Sequence, residues 1–251
     1  MSAGRKYVMS IAGFDPSGGA GLLADIKTFE SNKVYGLGVI SANTFQNDAE
    51  FKRVDWIPVE KIIEQIEILR KRFAFEYVKI GLIENFNTLG AVVSHLTSHI
   101  ADLKIIWDPI LAASAGFEFH KQPDISTLKN ILSKTHVITP NVPEAAILGQ
   151  GGSAEENSRS LSEHCHVFLK GGHSENKVGY DTLFLKKGKQ FSFRPKTKNV
   201  LPKHGSGCVL SSAIAANLAK GEDLHRSCLK AKQYTEYFLS TNKTLLGYHK
   251  L

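Results

Sequence analysis

The chain has 251 residues, of which 42% are hydrophobic and 22% charged, the balance of a soluble globular enzyme built as one large α/β domain or two small ones. It has no run of 18 apolar residues, so no transmembrane helix is expected, and its first apolar run is strand-sized rather than a signal-peptide core. The net charge of +7 comes from scattered lysines with no basic block interleaved with aromatics, which argues against nucleic acid and for a polyphosphate ligand. The three cysteines, Cys165, Cys208 and Cys228, lack metal-ligand spacing and suit a reducing cytoplasm.

Residues 7–11 read as a short strand that runs into AGFDPSGGAG, residues 12–21. Four glycines, a proline and an aspartate in ten residues exceed what a simple turn needs. A helix over residues 22–31 follows. The loop either brings backbone N–H groups to an anion or is a tight strand-to-helix connection. It matches neither GxGxxG nor GxxxxGK(S/T), which removes the dinucleotide and Walker A readings.

Residues 39–44 form the next expected strand, with Gln46 and Asn47 just past its end, where open α/β sheets bind ligands. Pro58 is expected at the first position of a helix that runs over residues 59–72 with Ile62, Ile66 and Leu69 as its buried stripe. In the strand at residues 77–81, Lys79 requires a carboxylate or a water-lined edge. A helix over 88–98 and a strand over 104–107 lead to Asp108-Pro109, where the proline holds the aspartate extended at a strand's end. A long loop, a helix over 125–132 and a strand over 136–139 lead to TPNVPE. There Asn141 and Glu144 either hold a hydrated Mg²⁺ or cap the following helix. After a helix over 153–163, the strand at 166–170 ends in KGGH, where Lys170 is a phosphate contact or part of a surface turn. Residues 182–185 and 190–193 make a hairpin.

The stretch KHGSGCVLSSAIAANLAKG, residues 203–221, organises the rest. Gly205 and Gly207 flank Ser206 ahead of a helix with Leu210, Ile214 and Leu218 spaced four apart, ended by Gly221. The helix N-terminus carries unpaired N–H groups and partial positive charge, suited to a phosphoryl group. Cys208 stands in that field, where its thiol pKa is expected to be lowered so that it can act as base or nucleophile; a buried filler is the plain alternative. A last helix covers about residues 223–239. Strand and helix alternate up to Lys170, which predicts a parallel sheet with helices on both faces in a single domain, residues 1–251.

Taken in order, AGFDPSGGAG, KIG, DP, TPN-x-x-E, KGGH and HGSGC resemble the ribokinase-like superfamily, and within it the hydroxymethylpyrimidine and phosphomethylpyrimidine kinases of thiamine biosynthesis. The resemblance spans essentially the whole chain. Its most specific piece is AGFDPSGGAGLLADIKTF, and the cysteine of HGSGC marks the pyrimidine kinases and some pyridoxal kinases. It implies a three-layer α/β/α sandwich with a mostly parallel central sheet, ATP and Mg²⁺ as cofactors, and a cytoplasmic homodimer acting on a small pyrimidine, with no nucleic acid or membrane partner. It places Gly13, Asp15, Ala20 and Gln46 on the pyrimidine, with Leu82 and Ile110 as apolar walls. It gives Asn141, Glu144 and Asp108 to the metal, and Lys170, Gly172, Asn141 and Lys203 to the nucleotide. Gly205, Ser206 and Gly207 become the anion hole and Cys208 the base for in-line transfer from ATP. The alternatives are a pyridoxal or pyridoxine kinase of the same superfamily and a catalytically silent pyrimidine-binding homologue. Two departures stand out: NVLPKHGSGC replaces the family's TKNTHGTGC, and DPILAASAG lacks a serine hydroxyl beside Gly116. Residues 111–124 and 150–153 have the composition of loops that close over a site.

Overall fold

A computed structural model describes residues 4–112, 123–172, 178–197 and 200–250. Its frame is a nine-stranded sheet in the order β3-β2-β1-β4-β5-β6-β7-β8-β9. The strands are β1 (Tyr7–Phe14), β2 (Tyr35–Gln46), β3 (Phe51–Trp56), β4 (Phe75–Ile80), β5 (Lys104–Trp107), β6 (Val137–Ile138), β7 (His166–Leu169), β8 (Asp181–Phe184) and β9 (Gln190–Phe193). From β2 through β7 neighbouring strands are parallel, while β3, β8 and β9 join antiparallel at the two edges.

Strict alternation buries both faces of the sheet. Met9, Ile11, Ile105, Trp107, Ile138, Val167 and Leu169 enter one core. Their neighbours Val8, Ile106, Val137 and Phe168 enter the other. Helices α2 (Val59–Arg70), α3 (Phe86–His99), α4 (Ile125–Ser133), α5 (Val142–Gly149) and α6 (Ala154–Leu161) supply the first core. Helices α1 (Gly21–Ser31), α7 (Ser206–Ala219) and α8 (Leu224–Ser240) supply the second. Period-2 burial on both faces is what a parallel sheet inside two helical layers demands.

Several elements differ from expectation for local reasons. Strand β2 begins at Tyr35 rather than 39, because Gly36 and Gly38 sit inside it; a Cβ on Gly36 would come within 2.7 Å of Ile26 on α1. The exposed edge strand β3 has no core face to reveal it in the sequence. Pro58 is the N-cap of α2 rather than its first residue. The chain runs from β1 out to β2 and back to β4 on the other side of β1, so the strand order reverses between β1 and β4. α7 packs against β1, β4 and β5 at that reversal, where open α/β sheets hold ligands.

Candidate active site

Two glycine turns meet at the N-terminus of α7. Gly205, its N-cap, has φ 76°, and a Cβ there would stand 2.0 Å from the Gly19 carbonyl oxygen. Gly21, at φ 58°, starts α1, and a Cβ there would stand 2.2 Å from the Gly13 carbonyl oxygen. Only glycine fits either position.

Asp15 ties the two turns together. Its carboxylate accepts from Ser17 N at 2.9 Å, Ala20 N at 2.8 Å and His204 Nε2 at 3.0 Å. Burial pushes the carboxyl up, but the bonds from His204, Ala20 and Ser17 together hold it below the usual range. This corrects the substrate-contact expectation: Asp15 is fully buried and lies behind the cleft wall as the loop's organiser.

The cleft itself has a volume of about 540 Å³, in the range of small-molecule sites. One set of lining residues is Gly13, Ala20, Thr44, Gln46, Leu82 and Ile110. The same cleft is lined by Asp108, Asn141, Glu144, Lys170, Gly205, Ser206, Gly207 and Cys208, and by Gly172 and Lys203. Every other expected site residue is therefore brought together.

Cys208 is the third residue of α7, a helix buried on all sides from Cys208 to Ala219. Burial pushes its thiol up to about 11; Lys79 pulls it down, and Asp25 and Asp108 push it further up. The expected lowering does not occur, because desolvation outweighs the field of the helix terminus. Beneath it, Asp25 accepts from Ser10 Oγ at 2.5 Å, Ser212 Oγ at 2.7 Å and Lys79 Nζ at 2.8 Å, all wholly buried. Lys79 thus has its carboxylate. Burial works against its ammonium, but Asp25 above all holds it charged, its pKa raised.

Lys170 Nζ donates to Asp108 Oδ1 at 2.8 Å and lies 3.5 Å from Glu144. Asp108 also accepts from Thr139 Oγ1 at 3.0 Å and Ser211 Oγ at 3.2 Å. Burial opposes ionisation of Asp108, but Lys170 and Lys79 bring its pKa below the usual range. Glu144 goes the other way: burial raises it to about 7 although Lys170 opposes the shift. Asn141 and Glu144 form a capping box on α5, Asn141 Oδ1 accepting from Glu144 N and Glu144 Oε2 from Asn141 N. The capping alternative is realised, and both side chains still line the cleft.

Among the described residues no cluster of three or more His, Cys, Asp or Glu forms a metal cage. Asp108 Oδ1 is held by Lys170 and Thr139, while its Oδ2 faces only Ser211, whose single hydroxyl proton also faces the Gly207 and Cys208 carbonyls. The oxygens of Asp108, Glu144 and Asn141 beside Lys170 fit a largely hydrated Mg²⁺ carried by phosphates, which needs only one or two protein oxygens.

The far wall is built by residues the sequence reading passed over. Asp181 accepts from Gly171 N and Lys232 Nζ, each at 2.8 Å, and Lys232 also donates to the Gly179 carbonyl at 2.5 Å. Glu236 accepts from Lys196 N. These bonds fix the turn after Lys170 against α8, beside cleft residues Pro195, Thr197, Val200 and Leu239.

Comparison with known proteins then decides the family. Residues 15–250 match the family described as phosphomethylpyrimidine kinase. The chain belongs to that family. It is 36% identical over 251 residues to the hydroxymethylpyrimidine/phosphomethylpyrimidine kinase of Aquifex aeolicus, covering 96% of this chain and 97% of the relative. A phosphomethylpyrimidine kinase structure from Clostridium difficile 630 superimposes with TM-score 0.76 at 28% identity, over 92% of this chain and 98% of that one. The ADP complex of Bacillus subtilis pyridoxal kinase has the same ribokinase-like fold, with TM-score 0.83 at 21% identity and coverage of 98% and 97%.

Within the phosphomethylpyrimidine kinase frame one further expectation changes. Lys203 lines the cleft, but its ammonium donates to the Asn242 carbonyl, to Asn242 Oδ1 at 2.8 Å and to the Thr244 carbonyl. His204 N donates to the Leu245 carbonyl at 2.9 Å, and a Cβ on Gly19 would stand 2.6 Å from Leu246. Lys203 is therefore an anchor for the C-terminal turn rather than a free phosphate contact. Gly116, most of the long loop after Leu111 and His173 lie outside the described residues.

Proposed function

We propose that the chain acts as a single ATP-dependent kinase domain that phosphorylates 4-amino-5-hydroxymethyl-2-methylpyrimidine, its monophosphate, or both. One observation carries this reading. A single cleft joins an amide and two apolar walls, Gln46, Leu82 and Ile110, to a helix N-terminus with a lysine, Gly205–Gly207 and Lys170. The first set suits an aminopyrimidine edge, whose amino group donates and whose ring nitrogen accepts. The second suits a γ-phosphoryl group in flight, stabilised by backbone N–H groups and a fixed cation.

In this reading Gly205, Ser206 and Gly207 hold the equatorial oxygens, and Lys170, with Asp108 keeping it in place, neutralises charge between the two substrates. Glu144 and Asn141 would hold the water shell of a Mg²⁺, which would supply charge neutralisation on the phosphates. Gly172 and the wall made by α8 take the nucleotide. Cys208 sits at the reacting centre. Because its thiol is raised to about 11, base catalysis by the thiolate requires turnover to rise with pH across the neutral to alkaline range. A flat profile assigns Cys208 to orienting the hydroxyl, with the proton leaving late. The reading includes a reducing cytoplasmic setting, consistent with three free cysteines, and the homodimer implied by the resemblance, which sedimentation reads directly. No described helix is long and apolar enough to cross a membrane.

The test is ADP release from Mg·ATP with the pyrimidine alcohol, its monophosphate and pyridoxal in parallel. Turnover with a pyrimidine, lost in Cys208→Ala, supports the proposal. Turnover with pyridoxal alone moves the substrate to a vitamin B6 alcohol. Tight pyrimidine binding without turnover makes the chain a silent binding protein.

A further inference from the structure

Thr44 is buried near the end of β2, two residues before Gln46, and both line the cleft. Its hydroxyl donates to the Phe14 carbonyl at 2.8 Å. Gln46 Nε2 stands 2.9 Å from the same hydroxyl oxygen. The direction of this relay follows from proton counting. A carbonyl only accepts, so the single hydroxyl proton of Thr44 goes to Phe14. The group facing the Thr44 oxygen must then donate, so it is the NH₂ end of Gln46. A flipped amide would place its carbonyl oxygen against an oxygen with no proton left to share. Among the described residues no other hydrogen bond engages the Gln46 amide, so one acceptor and one N–H remain for a ligand.

We propose that Thr44 determines ring specificity as a positioning residue, by locking Gln46 into the orientation that selects a donor-then-acceptor ring edge. This deepens the aminopyrimidine reading and rests on it. With the 5-hydroxymethyl group aimed at the N-terminus of α7, only one ring edge faces Gln46. In a 4-amino ring that edge presents N–H and then a lone pair. In the 4-oxo counterpart it presents a lone pair and then N–H, the reverse pattern. A locked amide matches the first and opposes the second. An amide free to flip matches either.

The experiment compares kcat/KM for the aminopyrimidine alcohol and its 4-oxo counterpart in the wild type, Thr44→Val and Thr44→Ser. The wild type should prefer the amino ring by at least ~100-fold, towards the ~10⁴-fold by which a site built to hydrogen-bond its substrate rejects a mismatched polar group. Thr44→Val should cut that preference to ~10-fold or less, with kcat/KM for the 4-oxo ring rising in absolute terms and KM for ATP unchanged. Thr44→Ser, which keeps the hydroxyl, should keep the preference. A structural role alone would lower both rings together, and that result, or an unchanged preference in Thr44→Val, overturns the inference. If Thr44→Val does not fold, equilibrium binding of the two rings to Thr44→Ala gives the same comparison. A wild type that uses neither ring defeats the substrate reading first, and this inference falls with it. A wild type that uses the amino ring while Thr44→Val discriminates equally well defeats the inference alone.

Discussion

Two of the lysine–aspartate pairs at this site, Lys79–Asp25 and Lys170–Asp108, differ in what can reach them. Lys79 and Asp25 are sealed, both side chains at 0% exposure, and Ser10 and Ser212 also bond the carboxylate. Lys170 and Asp108 open on the cleft, with 14% of the lysine side chain exposed and Glu144 alongside. Both pairs have the same 2.8 Å contact. The sealed pair has no competitor, so it is a fixed piece of the foundation under Cys208. The open pair is one that an incoming phosphate can rearrange. Burial, rather than pairing, separates a structural charge from a working one.

The largest expected effect breaks the sealed pair. Lys79→Met leaves Asp25 buried without its cation and should cost about 3–5 kcal/mol in urea denaturation. Adding Asp25→Leu should restore much of it, and a single variant as stable as wild type would place water in the pocket. Next, Lys170→Gln should fold but lose about 100-fold in kcat/KM, the usual loss when one fixed charge is removed from a transition state. Stability loss like that of Lys79→Met would erase the distinction between the pairs. The third effect is a pH slope from Glu144, beside the open pair. Burial raises Glu144 to about 7 in the folded protein, above the usual glutamate value of about 4.5. The folded form binds the proton more tightly, so this contribution is complete below pH ~4.5 and is lost as pH rises towards 7. Glu144→Gln should flatten that slope in ligand-free thermal unfolding, and an unchanged slope would move its origin elsewhere. The smallest effect serves as the control. Lys61 and Glu64 pair at 3.0 Å on the surface with side chains 67% and 71% exposed, and Glu64→Gln should change stability by less than ~0.5 kcal/mol.

What could be read from the sequence depended on whether the deciding partner was local. The glycine turns, the parallel pairing of the central strands and Lys79's need for an anion all follow from residue type and period. That the anion is Asp25 does not, because only the fold brings a residue 54 positions away onto it. The resemblance puts Asp15 on the substrate, because a motif carries the residue type but not the three residues that turn their donors towards it. Cys208 was placed correctly at a helix terminus, yet its environment depends on the burial of the whole of α7. Lys203 looked free because its acceptors lie some forty residues later, in a turn with no marked pattern. Thr44 gave no signal at all, since a threonine in a strand is the commonest of neighbours.

The C-terminal turn has a consequence for how the protein is made. Residues 242–246 lock Lys203 and His204 and pack on Gly19. A chain emerging from the ribosome lays down β1 and its glycine loop first and this turn more than two hundred residues later. The sheet can therefore form well before its pocket does, and the loop at Gly19 waits unsupported through most of synthesis. A nascent chain stalled before residue 242 should be compact yet unable to grip a ligand, so competence arrives only once that turn has been made.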